Sequence, residues 1–219
     1  MEIILSGGGS GEKTKEVDEL FSNILKKSKP LLYIPIAINK IKHPYPECLK
    51  WLKETFDKLG VKFYEMWSEK DLFKSKEINP EKFGGIYIGG GNTFYLLKIL
   101  KESGFWEFLI KAIKKGTPIY GGSAGAIIFG KSILTSSDEN FVGLKEFAGM
   151  NLLKDISILC HYKQEKEDKI KESFINKIIA LPERTGIYLK DNKATIIGQE
   201  SAYLFFNKNK KEISVGQII

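Results

Sequence analysis

Short apolar runs alternate with stretches whose hydrophobic residues recur at a period near 3.6, and this alternation predicts the architecture. The runs at 2–5 (EIIL), 31–37 (LLYIPIA), 61–67 (VKFYEMW), 84–92 (GGIYIGGGN) and 117–122 (TPIYGG) read as strands. The first of these turns to glycine too soon for a signal peptide and lacks a basic leader. Amphipathic segments at 11–27 and 44–60 read as helices, the second opened by prolines and closed by Gly60. Residues 93–116 hold two helices broken near Ser103-Gly104, and 123–130 begins another. The apolar character of 31–37 is continuous, as expected of a strand covered on both faces.

Beyond residue 130 the pattern changes. Short strand-like runs (DISILCH, TGIYLKD, KATIIGQ, AYLFFN, EISVGQI) are separated by turn residues, and only 167–180 reads as a helix. The expected fold class is therefore α/β, a doubly wound, mainly parallel sheet with helices on both faces. Antiparallel additions that continue this sheet are expected in the C-terminal third. No linker, repeat or low-complexity segment interrupts the chain, so 1–219 is expected to be one domain.

Composition changes this picture little. Of the 219 residues 42% are hydrophobic and 28% charged, and no apolar run is long enough to span a bilayer, so no membrane partner is expected. The formal charge of +7 comes from lysines interleaved with glutamates, as in KSKEINPEK. That is a solvated surface and not a nucleic-acid footprint, although the positive field favours acidic substrates. Cys48 and Cys160 have no metal-ligand spacing and fit two thiols in a reducing cytoplasm, so neither disulfide nor metal is expected.

Candidate chemistry gathers at glycine turns. In open parallel sheets ligands sit at the carboxyl ends of the strands, and both GGGNTF (89–94) and GGSAG (121–125) fall there, facing one edge. Gly121-Gly122-Ser123-Ala124-Gly125 fits G-x-S-x-G in a strand-turn-helix context. It reads either as a nucleophile elbow, with the Ala124 amide aimed at a developing oxyanion, or as a helix start capped by Ser123. A nucleophilic serine needs a base. Of the two histidines, His161 ends a strand-like run and His43 lies in a loop, so His161 is the better candidate. Asp138 and Glu183 are both candidates to orient it, among many acidic residues. The turn 87–100 offers open amides, but it fits neither the phosphate-loop nor the dinucleotide pattern. The turn SGGGSG (6–11) reads as a tight strand-to-helix connection. No cofactor is expected.

Together, GGGNTFYLL at 89–97, GGSAGA at 121–126, CHY at 160–162 and YIPIA at 33–37 resemble the peptidase E (aspartyl dipeptidase) family of serine peptidases, relatives of cyanophycinase. The resemblance spans almost the whole chain. It implies a fold like that of class I glutamine amidotransferases, flavodoxin-like in outline, with serine in place of their cysteine. It also implies hydrolysis of small peptides, with N-terminal aspartate dipeptides as the family's specialised substrates, by a monomer or homodimer. By that resemblance Ser123 is the nucleophile and His161 the base, 38 residues on. Asp138 matches the proposed triad aspartate of peptidase E and Glu183 the triad glutamate of cyanophycinase-like members; Asp138 is narrowly preferred. Gly91 and Ala124 supply the oxyanion amides, and Gly90, Asn92 and Lys166 contact substrate. One departure is plain: the segment after His161, YKQEKEDKIK, lacks the arginine that grips an aspartate side chain in peptidase E. Lys163 or Lys166 can replace it only as a point charge. A non-catalytic protein binding a small anion or peptide on the same fold is the competing expectation. An amidotransferase-like hydrolase is a third, weakened by the absence of an elbow cysteine.

Overall fold

The structure is a computed structural model that describes residues 1–207 and 209–219. The first half builds a parallel sheet. Strands β1 (Glu2–Ser6), β2 (Leu31–Ile34), β3 (Tyr64–Met66), β4 (Gly85–Ile88) and β5 (Ile119–Gly122) alternate with helices α1 (Lys15–Ile24), α2 (Tyr45–Phe56), α3 (Glu69–Leu72), α4 (Thr93–Glu102) and α5 (Phe105–Lys114). A short helix α6 (Ala124–Ile127) follows β5 directly. The break between α4 and α5 falls at Gly104, which takes φ 79°.

Strand alternation divides the apolar residues between two faces. Ile3, Leu5, Leu32, Ile34, Ile86, Ile88 and Ile119 pack with α4, α5 and α6 on one side. Ile4, Leu31, Tyr33, Tyr87 and Tyr120 pack with α1 and α2 on the other. This double coverage is why the strands read as unbroken apolar runs. It bears out the doubly wound expectation, with helices on both faces.

The second half contributes β6 (Ser157–Leu159), α7 (Glu167–Glu172), β7 (Lys177–Ala180), β8 (Thr185–Lys190), β9 (Lys193–Gly198), β10 (Ala202–Phe206) and β11 (Asn209–Ile213). The main sheet runs β3-β2-β4-β5-β1-β8-β9, with β8 and β9 antiparallel to their neighbours. The other four strands do not continue it. They form a separate sheet, β11-β10-β7-β6, in which only β6 and β7 are parallel. Two further expectations are corrected. Residues 167–180 are helical only as far as Glu172, because Ile178 and Ile179 pair with β10 and β6 as β-branched strand residues. The last predicted strand, at 212–218, moves upstream to β11; the tail instead lies along β9, with Ile219 N–H donating to Ala194 O at 2.9 Å.

A carboxyl group is buried in the first turn of α1. Asp18 of α1 is 3% exposed and accepts a 2.7 Å hydrogen bond from Thr14 Oγ1. Desolvation lifts its carboxyl from 3.8 to about 6, against the opposing hydrogen bond from Thr14. Native protein therefore holds a proton that the unfolded chain releases, and stability falls as pH rises from about 4 through about 6. Replacing Asp18 by asparagine is expected to raise stability by up to about 3 kcal/mol at pH 8, with the gain fading below pH ~4. Denaturant unfolding at both pH values checks this; a variant no more stable than the parent at pH 8 contradicts it.

Candidate active site

Ser123 follows β5 with backbone angles φ 50° and ψ −110°, the left-handed region that costs a side-chain-bearing residue of order 1–3 kcal/mol. The flanking glycines make the turn possible. A Cβ on Gly121 would lie 2.3 Å from Gly125 O, and one on Gly125 would lie 2.3 Å from Ile88 O. Helix α6 thus rests directly on β4 and β5. The Ser123 side chain caps nothing. Its Oγ instead lies 2.9 Å from His161 Nε2.

His161 follows β6, also at positive φ (52°), and two backbone contacts hold it. Its N–H donates to Gly7 O at 2.9 Å, and Lys166 Nζ donates to its carbonyl at 2.9 Å. The imidazole lies on Gly8, where a Cβ would come within 2.3 Å of Cε1. On its far side Nδ1 is 3.0 Å from Glu183 Oε1, in the connection between β7 and β8. Glu183 Oε2 accepts from Lys13 Nζ at 2.5 Å. These bonds, Lys13 first and His161 second, hold the Glu183 carboxyl below its ordinary range. An ionised carboxylate only accepts, so Nδ1 carries the imidazole proton and Nε2 is left to accept from the serine hydroxyl.

Asp138 is not the carboxylate beside the histidine, and the preference for it is corrected. Its Oδ2 accepts from Thr93 N–H (2.8 Å), Thr93 Oγ1 (2.8 Å) and Ser136 Oγ (2.7 Å), which ties it to the first turn of α4. Asn92 is likewise taken up by structure rather than by the cleft. Its Oδ1 caps α4 by accepting from Tyr95 N–H, and its Nδ2 donates to Glu139 O. Gly90 lies beside the nucleophile candidate, where a Cβ would come 3.2 Å from Ser123 Cβ. Gly91 takes φ 134°, with Ala37 O so close that any side chain is excluded. Among the described residues neither the Gly91 nor the Ala124 amide meets an acceptor.

Two cavities meet at Ser123, Gly91 and His161. One, of about 530 Å³, is lined by Asp138, Lys166, Lys169, Ile170 and Ile175. The other, of about 560 Å³, lies toward α2 and includes Tyr33, His43, Glu47 and Trp51. His43 is thus at the rim of the cleft but not in contact with Ser123. Cys160 is buried, its thiol 3.6 Å from the carbonyl oxygens of Ser6 and Ser123 and pushed up in pKa by desolvation, so it stays a protonated packing group.

Sequence reasoning missed Lys13 and the glycines of SGGGSG. Their signal is present: three consecutive glycines after β1 exceed what a strand-to-helix turn needs. Two of them, Gly8 and Gly9, make room for His161 and Glu183. No helix among the described residues is long and apolar enough to cross a membrane.

The sequence profile of peptidase family S51 matches residues 3–205. A peptidase E from Pasteurella multocida is 34% identical over 191 residues, covering 82% of this chain and 79% of that protein. A peptidase E from Nostoc sp. is 25% identical over 214 residues, covering 90% and 84%. The crystal structure of a peptidase from an acI-B1 Actinobacterium superposes with a TM-score of 0.75 at 18% identity, covering 100% of this chain and 96% of that one. That likeness is one of fold.

Gly8→Ala puts a methyl group where the imidazole lies and is expected to break the Ser123–His161 contact. The low-field Nδ1–H resonance of His161 in the proton NMR spectrum reads this out. Its retention at the parental position in the variant contradicts the packing described.

Proposed function

The chain belongs to peptidase family S51 and is a peptidase, and from that premise we propose that it is a serine peptidase of small peptides working through Ser123, His161 and Glu183. The observation that carries the reading is the unbroken line of hydrogen-bonding partners from Ser123 Oγ through His161 to Glu183. In it, Ser123 passes its proton to Nε2 as Oγ bonds to the scissile carbonyl carbon. The amides of Gly91 and Ala124 receive the oxyanion. The imidazolium returns the proton to the leaving amine as the C–N bond breaks, which leaves an acyl-serine. Water then repeats the sequence: His161 takes its proton, hydroxide attacks the ester, and the serine is released protonated.

Glu183 holds the imidazole in the required tautomer and opposes the positive charge it acquires. Lys13 keeps Glu183 ionised by occupying its second oxygen. Asp138 shapes the cleft as a wall of the first cavity. In that cavity Lys166 and Lys169 favour a substrate carboxylate as point charges, without the bidentate grip of an arginine. An N-terminal aspartate is one source of such a carboxylate. The rival reading, a non-catalytic binding protein, needs Ser123 as a helix cap, and its Oγ has no such bond.

Ser123→Ala is expected to lower kcat on a cleaved dipeptide by at least about 10³-fold with an unchanged circular dichroism spectrum. Turnover equal to the parent's sinks the proposal. Glu183→Gln is expected to lower kcat by about 10²–10⁴-fold, and Asp138→Asn by clearly less. The reverse order would return the orienting role to Asp138.

A further inference from the structure

The separate sheet sends one cation toward the segment that follows His161. Lys210, in β11, places its Nζ 4.5 Å from the ring centre of Tyr203, 5.5 Å from that of Tyr162 and 6.0 Å from that of Phe205. The same atom donates to Glu167 Oε2 at 2.7 Å. The other oxygen of Glu167 pairs with Lys171 Nζ at 2.6 Å. An isolated surface ion pair contributes little, because water and side-chain entropy compete with it. Here three rings line the ammonium and both carboxylate oxygens are taken, so the pair is confined to one geometry. It also stays charged, since Lys171 and Lys210 together bring the Glu167 carboxyl down to about 2.

Two pairs of chain neighbours connect this cluster to the candidate active site. His161 and Lys166 line the first cavity, and Lys166 Nζ donates to the His161 carbonyl at 2.9 Å. The residues that follow them, Tyr162 and Glu167, are the ones that meet Lys210. The two pairs differ in how firmly they are held otherwise. His161 and Tyr162 have backbone bonds of their own, to Gly7 O and Leu181 O. Helix α7 is only six residues long, too short to be stable by itself, and Ile170 is its one buried residue. Phe174, just beyond it, is fully exposed. The ion pair at Glu167 therefore has little packing to assist it in fixing α7.

We propose that Lys210 is a positioning residue of the peptidase: braced by Tyr162, Tyr203 and Phe205, it holds Glu167 and with it the α7 wall of the first cavity. The proposal rests on the peptidase reading above, because that wall serves a substrate only if Ser123 and His161 act on one. It gives the β10–β11 pair a task, although none of its described residues lines either cavity. Lys166, Lys169 and Ile170 come to the cavity from this wall, whereas His161 keeps its bonds to Ser123 and Glu183 without it. Loss of Lys210 is therefore felt in substrate binding and much less in the chemical step.

The test compares Lys210→Met, which keeps a stem against the rings and removes the charge, with Lys210→Arg and Glu167→Gln. Lys211→Met, at the next position of β11, is the control. Both kcat and KM are measured on the dipeptide that the parent cleaves fastest in a panel. Trypsin cleavage after the lysines of 163–171 is timed in the native proteins. Lys210→Met is expected to raise KM about tenfold, to leave kcat within about threefold, and to speed the trypsin cleavage about tenfold. Glu167→Gln should do the same, the double variant should be no worse than either single one, and Lys210→Arg should stay within about twofold of the parent. An unchanged KM in Lys210→Met overturns the proposal whatever the trypsin rate, and so does a fall in kcat at constant KM. Equal effects in Lys211→Met overturn it too, because they show a general loosening of the strand pair. A parent that cleaves no dipeptide removes the peptidase reading instead. The trypsin rate then decides alone whether Lys210 holds α7, and an unaltered rate shows that it does not.

Discussion

Gly125 lies on the carbonyl of Ile88 at a separation that admits no side chain, and most of the site's geometry follows from that contact. Because α6 sits flush on β4 and β5, the chain must reverse within one residue, and Ser123 absorbs the turn in a left-handed conformation. The same proximity brings the end of β4, with Gly90 and Gly91, alongside the serine. Gly7 and Gly8 repeat the device one strand over, where the approaching groups are the backbone of Leu181 and Pro182 and the His161 imidazole. Backbone packed against backbone needs no hydrogen bond to specify it, but it tolerates no larger residue. The glycine turns at this sheet edge are thus moulds for one another.

The first half of the fold was legible because its physics is local. Two-sided burial makes each parallel strand an apolar run, and each helix shows its period. Ser123, His161 and the paired turns were legible for the same reason, since each stands at the end of a recognisable strand. The separate four-stranded sheet was not. Its strands are short, and KIIA at 177–180 continues the helical-looking run from 167; only pairing with β6 and β10 decides its conformation.

The choice between Asp138 and Glu183 was illegible for a related reason. Spacing after the serine cannot tell a carboxylate that caps a neighbouring helix from one that meets an imidazole. Asp138 finds the backbone N–H and hydroxyl of Thr93 at the start of α4 and the hydroxyl of Ser136 in its own loop. Glu183 finds the histidine and a lysine because β8 pairs with β1 and carries the preceding loop to the edge where Gly9 leaves space. Lys13 escaped notice since its role depends on a partner 170 residues away.

That separation has a consequence for how the protein comes into being. The serine turn and its open amides belong to the first 125 residues, while the histidine and glutamate arrive with β6 and the loop before β8. A chain leaving the ribosome therefore displays the strained serine well before the groups that pair with it exist. Those groups are brought to register by β8 docking antiparallel on β1, one of the longest-range strand pairings in the molecule. Non-local pairings of this kind form late, after loop-closure entropy has been overcome. A chain that ends before β6 consequently carries Ser123 without His161 or Glu183, the two groups that line up beside it in the folded protein.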